Sequence, residues 1–300
     1  MEWSKLPLSR GDRFLGMDST LYDADWVYFG IPMDFTVSFQ PGSRFGPARV
    51  REASYAIETY SMALDRDLTD VCIHDAGDLE LPFGNVMESL HAIGSVAESV
   101  VSQGKRFFAL GGEHLVTLPL IQTMVKRYPN LVVIHWDAHA DLREDYMGQA
   151  LSHATVLRRV SELLQPRHLY QFGIRSATRD EMAYAQQNVN FYPYQVLTPL
   201  QAVLKQLEGA PVYVTIDIDV IDPAFMPGTG TPEPGGISSS EALEAIRLLK
   251  SLNVVGMDLV EAMPAHDLSQ RSAVLAAKLV REGLLAVVDR GSDSSSGRVG

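Results

Sequence analysis

The chain has 300 residues, 46% of them hydrophobic and 21% charged, an ordinary composition for a globular protein with a core large enough to need no staples. A formal charge of −12 removes the basic face that phosphate-backbone recognition requires, so no nucleic-acid partner is expected and cationic small molecules or metal ions are favoured. No apolar run reaches the ~18 residues of a membrane span. The start, MEWSKLPLSRGDRF, lacks a secretory pattern, so a cytoplasmic protein is expected. The single cysteine, Cys72, cannot form an internal disulfide and reads as a small buried apolar side chain.

In chain order, the first strand-like run is WVYFGIP (26–32), followed by a helical pattern over 86–104. Next come RFFALGG (106–112), a helical pattern over 115–128, and LVVIHWD (131–137). HLYQFGI (168–174) and PVYVTID (211–217) follow. A helical pattern over 238–252 then opens on a Ser-to-Glu capping signal, and NVVGMDL (253–259) is the last run. The runs are nearly continuous and rich in Val, Ile, Tyr and Phe, as strands buried on both faces are. Their alternation with helices predicts one α/β domain over 1–290, three layers deep (α-β-α) around a mostly parallel sheet. Residues 291–300 are polar and Ser/Gly-rich and read as a disordered tail.

Polar residues gather at the C-terminal ends of these runs, where open α/β sheets bind ligands. One run ends in Gly111, Gly112, Glu113 and His114; a second in Asp137, His139 and Asp141. A third ends in Asp217 and Asp219, and a fourth in Glu261. In extended chain, 137, 139 and 141 would face one side, where two acids and an imidazole suit a divalent cation better than a core. His114, Asp137, His139, Asp141, Asp217 and Asp219 exceed what one tetrahedral zinc needs. They suit two ions about 3.5 Å apart sharing carboxylates. An oxygen-rich set with imidazole and no thiolate favours Mn²⁺. His135, inside its apolar run, reads as a core or supporting histidine. His74, His91 and His168 read as structural or solvated.

The motifs GGEH (111–114), HWDAHAD (135–141), TIDIDVIDPAFMPGTGTPEPGG (215–236) and DLVE (258–261) resemble the manganese-dependent ureohydrolases, which include arginase and agmatinase. The segment IPMDFTVSFQPGSRFGPARVRE (31–52) looks like the agmatinase branch, and Arg44 within it reads as shaping the mouth. The resemblance implies an arginase-like fold, a homo-oligomer (trimer or hexamer) and two manganese ions per chain. It implies His114, Asp137, Asp141 and Asp217 on one ion, and His139, Asp137, Asp217 and Asp219 on the other. It also implies a proton-shuttling role for His153 and a guanidinium-gripping role for Glu261. The expected reaction is hydrolysis of a cationic guanidino compound by hydroxide bridging the metals, with Asp141 passing the proton to the leaving amine.

Rival readings are a one-metal zinc deacetylase, a two-metal phosphoesterase and a non-catalytic regulatory subunit. The first lacks a place for His114, the second lacks a phosphate cradle, and the third conflicts with a full ligand set. In arginases the resemblance places carboxylate-binding asparagine and serine in the loop after the DxHxD motif. The corresponding stretch, LREDYMGQALSHAT (142–155), has no asparagine. Its Glu144 and Asp145 are expected to repel a carboxylate and welcome an ammonium, which favours agmatine. Arg143 argues the other way, towards guanidinobutyrate; arginine, aminopropylagmatine and formiminoglutamate offer a similar head group.

Overall fold

All six apolar runs are strands, and three further strands extend their sheet. The computed structural model describes residue 3, residues 6–9 and residues 11–288; the expected tail, 291–300, lies outside the described residues. The strands are β1 (Leu8–Ser9), β2 (Trp26–Ile31), the small hairpin β3 (Tyr60–Ser61) and β4 (Arg66–Asp67), and β5 (Ile73–Leu79). Next come β6 (Arg106–Gly111), β7 (Val132–Trp136), β8 (Leu169–Phe172), β9 (Asn190–Tyr192), β10 (Pro211–Asp217) and β11 (Asn253–Val260). The main sheet runs β1-β5-β2-β6-β11-β10-β7-β8-β9, parallel throughout except for β1.

The continuous apolar strands follow from cover on both faces. On one face Trp136, Val214 and Ile216 pack with α1 (Gly46–Ser54), α6 (Leu197–Val203), α7 (Ser239–Leu248) and α8 (Arg271–Val287). On the other, Phe107, Val133 and Tyr213 pack with α2 (Val86–Ser102), α3 (Thr117–Arg127), α4 (Val156–Leu163) and α5 (Arg179–Asn188). This is the expected three-layer arrangement. Ser238 caps α7 by accepting the Glu241 N–H, as its sequence signal indicates. Cys72 is half-buried rather than buried. No helix among the described residues is long and apolar enough to cross a membrane.

One consequence of the topology positions the site. The four strands that carry the polar ends, β6, β11, β10 and β7, are consecutive neighbours in the middle of the sheet. Leu110 pairs with Leu259, Asp217 with Val260, and Trp136 with Ile216, so the four strands end level. Residues far apart in sequence therefore leave the sheet side by side.

Candidate metal centre

Each motif reaches the crevice by its own local device. Gly112 lies so close to the chain at Met33 that a Cβ there would fall 1.8 Å from the Met33 carbonyl oxygen. Its N–H donates to Ile31 O and that of Glu113 to Met33 O, both at 2.7 Å. The glycine thus lets β6 turn beside β2 and start the 3-10 turn His114–Val116. Asp137 follows β7 directly, and Asp219 sits on the 3-10 turn Ile218–Val220 after β10.

Asp137, His139 and Asp141 come together at one centre, but not as an evenly spaced extended row. Asp141 has φ +53°, so the segment is not extended there. Although His139 and Asp141 line one cavity, they meet different partners, Asp219 for His139 and His114 for Asp141. Two groups result, with Asp137 between them. In the first, His114 Nδ1 has Asp137 Oδ2 at 3.1 Å, Asp141 Oδ2 at 3.3 Å and Asp217 Oδ2 at 3.5 Å. In the second, His139 Nδ1 has Asp219 Oδ2 at 2.9 Å and Asp137 Oδ1 at 3.5 Å. Asp137 presents one oxygen to each group. Asp217 presents Oδ2 to the first, while its Oδ1 accepts the Asp219 N–H at 2.9 Å.

His135 also lies close enough to Asp137 and His114 for the three to hold an ion. Its hydrogen bonds argue against that. Nε2 is bonded to Asp137 Oδ2 at 2.8 Å and Nδ1 faces the Gln171 amide nitrogen at 3.0 Å, so both ring nitrogens are used. It supports a ligand, as its sequence context suggests.

Beneath the ligands runs a polar row of which the sequence reading picked out only His135. Asp258, Thr215, His135 and Gln171 are successive register partners across β11, β10, β7 and β8, and all are buried. The Thr215 hydroxyl donates to Asp258 Oδ1 at 2.6 Å, so its oxygen accepts from His114 Nε2–H at 3.0 Å. That leaves His114 Nδ1 facing the three carboxylates. Burial pulls the ring down, but Asp137, Asp141 and Asp217 outweigh it and hold it well above the ordinary imidazole range. Without an ion Nδ1 is therefore protonated, and to an ion it would offer its lone pair. Nδ1 is buried and makes no hydrogen bond among the described residues.

The electrostatics call for a cation. Burial, then Asp219 and Asp137, hold Asp217 well above the usual carboxylate range. Burial, then Asp137, pushes Asp141 up to about 7. Burial pulls His139 down, but Asp219 and Asp137 outweigh it and push the ring up to about 12. These buried acids cannot all ionise against two imidazoles. A divalent ion among the oxygens and the His114 lone pair resolves that conflict, so the residues fit such a group.

Above this floor lies a cavity of about 310 Å³. Glu261 lines it with φ +61°, a strained conformation for a non-glycine residue, and its Oε1 accepts the His114 N–H at 2.9 Å. Burial and then Glu113 hold its carboxyl well above the ordinary range. His153 stands at the mouth, and burial pulls its imidazole down to about 4. Arg44 lies 2.6 Å from Asp34, consistent with shaping the loop at the mouth.

One expectation is corrected. Glu144 and Asp145 are exposed and stand outside the cavity, with Asp145 accepting the Gly148 N–H. The acid that does reach the wall beside Arg143 is Glu181 of α5, buried and 3.7 Å from the Arg143 Nε. Its capping-box position, three residues after Thr178, is the signal that would have found it.

The model of the arginase family matches residues 24–286. The agmatinase of Bacillus anthracis is 50% identical over 281 residues, 93% of this chain and 97% of that one. The solved agmatine ureohydrolase of Thermoplasma volcanium superposes with a TM-score of 0.84 at 31% identity, covering 93% of this chain and 94% of that one. The proclavaminate amidino hydrolase of Streptomyces clavuligerus gives 0.85 at 29% identity, over 93% and 98%. The fold, the level strand ends and these matches agree: the chain belongs to the arginase family.

Proposed function

We propose that this ureohydrolase cleaves agmatine to putrescine and urea with two manganese ions per chain. The substrate rests on the 50% identity, over 93% of the chain, with the Bacillus anthracis agmatinase. The ions rest on the donor set, four carboxylates and two imidazoles with no thiolate. His114, Asp137, Asp141 and Asp217 would hold one, and Asp137, His139, Asp217 and Asp219 the other. When bound, such ions ionise a shared water near neutral pH and offset the developing negative charge.

The protein's residues do the rest. A guanidinium is planar, cationic and a poor electrophile, so it must be held. Glu261 pairs with two of its N–H groups, and the incoming charge ionises a carboxyl that burial otherwise keeps protonated. Asp141 takes the proton of the attacking water and passes it to the departing nitrogen as the C–N bond breaks. His153, neutral near pH 7, exchanges protons between the site and solvent. The net charge of −12 draws in the dication. The reading extends to a homo-oligomer, a trimer or hexamer.

Arg143 in the cavity wall supports a second reading, a guanidine with an anionic tail such as guanidinobutyrate. Urea release from agmatine, arginine and guanidinobutyrate at equal concentration separates them. Agmatine should be fastest; faster turnover of either other compound overturns the substrate. One zinc per active chain by elemental analysis would overturn the ions.

A further inference from the structure

Glu113 is fully buried beside His114 and is not among the proposed metal ligands. Its carboxylate faces the loop at 35–38 instead. Oε1 accepts the Phe35 N–H at 3.1 Å; Oε2 accepts the Thr36 N–H at 2.9 Å and the Thr36 hydroxyl at 2.6 Å. A hydroxyl has one proton, and here the carboxylate takes it. The Thr36 oxygen is then left only to accept. It accepts the His153 backbone N–H at 3.0 Å and lies 3.5 Å from His153 Nδ1. Nδ1 facing such an oxygen must be the protonated nitrogen, which leaves the lone pair on Nε2. That nitrogen is 3.2 Å from the exposed Ser38 hydroxyl at the cavity mouth. The Tyr146 ring closes edge-on against His153, with centroids 5.6 Å apart.

We propose that Glu113 and Thr36 are positioning residues: together they orient the His153 ring and fix its tautomer, so that Nε2 is the basic nitrogen at the mouth, with the Ser38 hydroxyl next in line. The logic is that of any carboxylate that orients a catalytic imidazole, with a hydroxyl inserted between them. The inference rests on the proton-carrying role proposed for His153.

The test is a double-mutant cycle on the manganese-loaded enzyme, with agmatine as substrate and bound metal measured in every variant. Thr36→Val keeps the shape and removes the hydroxyl; Thr36→Ser restores it. We expect Thr36→Val to lower kcat about ten-fold with KM and manganese content unchanged, and Thr36→Ser to stay near wild type. In a His153→Ala background the same Thr36→Val change should cost nothing further, because its effect passes through the ring. Equal losses in both backgrounds, or loss of manganese, would overturn the positioning role alone. Full turnover in His153→Ala would overturn the role of His153 itself, and wild-type enzyme inactive on agmatine would overturn the substrate reading instead.

Discussion

On the cavity floor, the candidate ligands stand at the level ends of four neighbouring strands, and buried partners on the same sheet hold two of them from below. Thr215 and Asp258 fix His114, and His135 and Gln171 fix Asp137. At the rim, Arg143, Tyr146 and His153 come from connecting segments and lean on one another. The Arg143 guanidinium lies 4.8 Å from the Tyr146 ring, which in turn abuts His153. A sheet offers fixed spacing and dry surroundings, which ions and a reacting carbon need. Loops offer room for different tails. The floor should therefore govern whether the reaction occurs, and the rim which substrate is used.

The largest effects should come from the floor, and they should divide by what each group touches. Asp137→Asn should cost more than about a thousand-fold in turnover and should empty the metal centre, since Asp137 faces both groups. Glu261→Gln should cost about a hundred-fold or more in kcat/KM with the metal content unchanged, because a guanidinium loses its buried counter-charge. Elemental analysis beside urea-release kinetics reads both. An empty centre in Glu261→Gln would merge two roles the geometry keeps apart.

Next in size is the layer under the floor. Asp258→Asn should lower manganese affinity about ten- to hundred-fold, with turnover restored by excess manganese. Titration calorimetry on the metal-stripped protein measures this directly. Unchanged affinity would mean that the Asp258–Thr215–His114 chain stabilises the strand and nothing more.

These two layers were not equally legible in the sequence. The ligands declared themselves because acids and imidazoles abruptly ended apolar runs. The row beneath was hidden inside those runs: Thr215 and Asp258 look like isolated polar residues until register places them side by side. Register between distant strands is a tertiary property. β5 was missed for a related reason. Its acids interrupt the apolar run, yet the Arg51 guanidinium from α1 pairs with both the buried Asp75 and the half-buried Asp78. At the rim, the acids that looked important point to solvent, because the loop at 142–155 doubles back and carries no periodicity that sets its facing.

A smaller effect contrasts the floor with and without ions. Asp141 is pushed up to about 7 by burial and then Asp137, and Asp217 and Glu261 are held well above the usual carboxylate range. The ion-free fold therefore binds more protons near neutrality than the unfolded chain does. Their contribution is fully present below the ordinary carboxylate pKa and is lost as pH rises through the raised values, about 7 for Asp141. His153, pulled down to about 4, works in the opposite sense, but only below its ordinary value of about 6.5. Between pH 8 and 6.5 the chelator-treated protein should thus gain in Tm on acidification, and His139, pushed up to about 12, acts in the same direction. With excess manganese the sign should reverse, since protons compete with the ions for the same oxygens. Thermal scans in both conditions would show it, and parallel slopes would argue that the floor holds no ion.

The smallest effect is the one that tests the rim. Arg143 stands in the cavity wall, 3.7 Å from Glu181 and over Tyr146. Glu181 is already engaged by the Leu142 and Thr178 N–H groups, so it answers the Arg143 charge only in part. An ammonium tail entering this cavity meets a guanidinium of its own sign beside that acid; a carboxylate tail meets a partner. Arg143→Ala should therefore raise kcat/KM for agmatine about two- to five-fold and lower it for guanidinobutyrate by a similar factor, the size of a half-exposed charge contact. If the guanidino carbon is held on the floor by Glu261, as proposed, kcat for agmatine should hardly move. The ratio of the two kcat/KM values before and after the change reads the rim without the floor. A common fall for both substrates would mean that Arg143 holds the loop in shape and that the tail is recognised elsewhere.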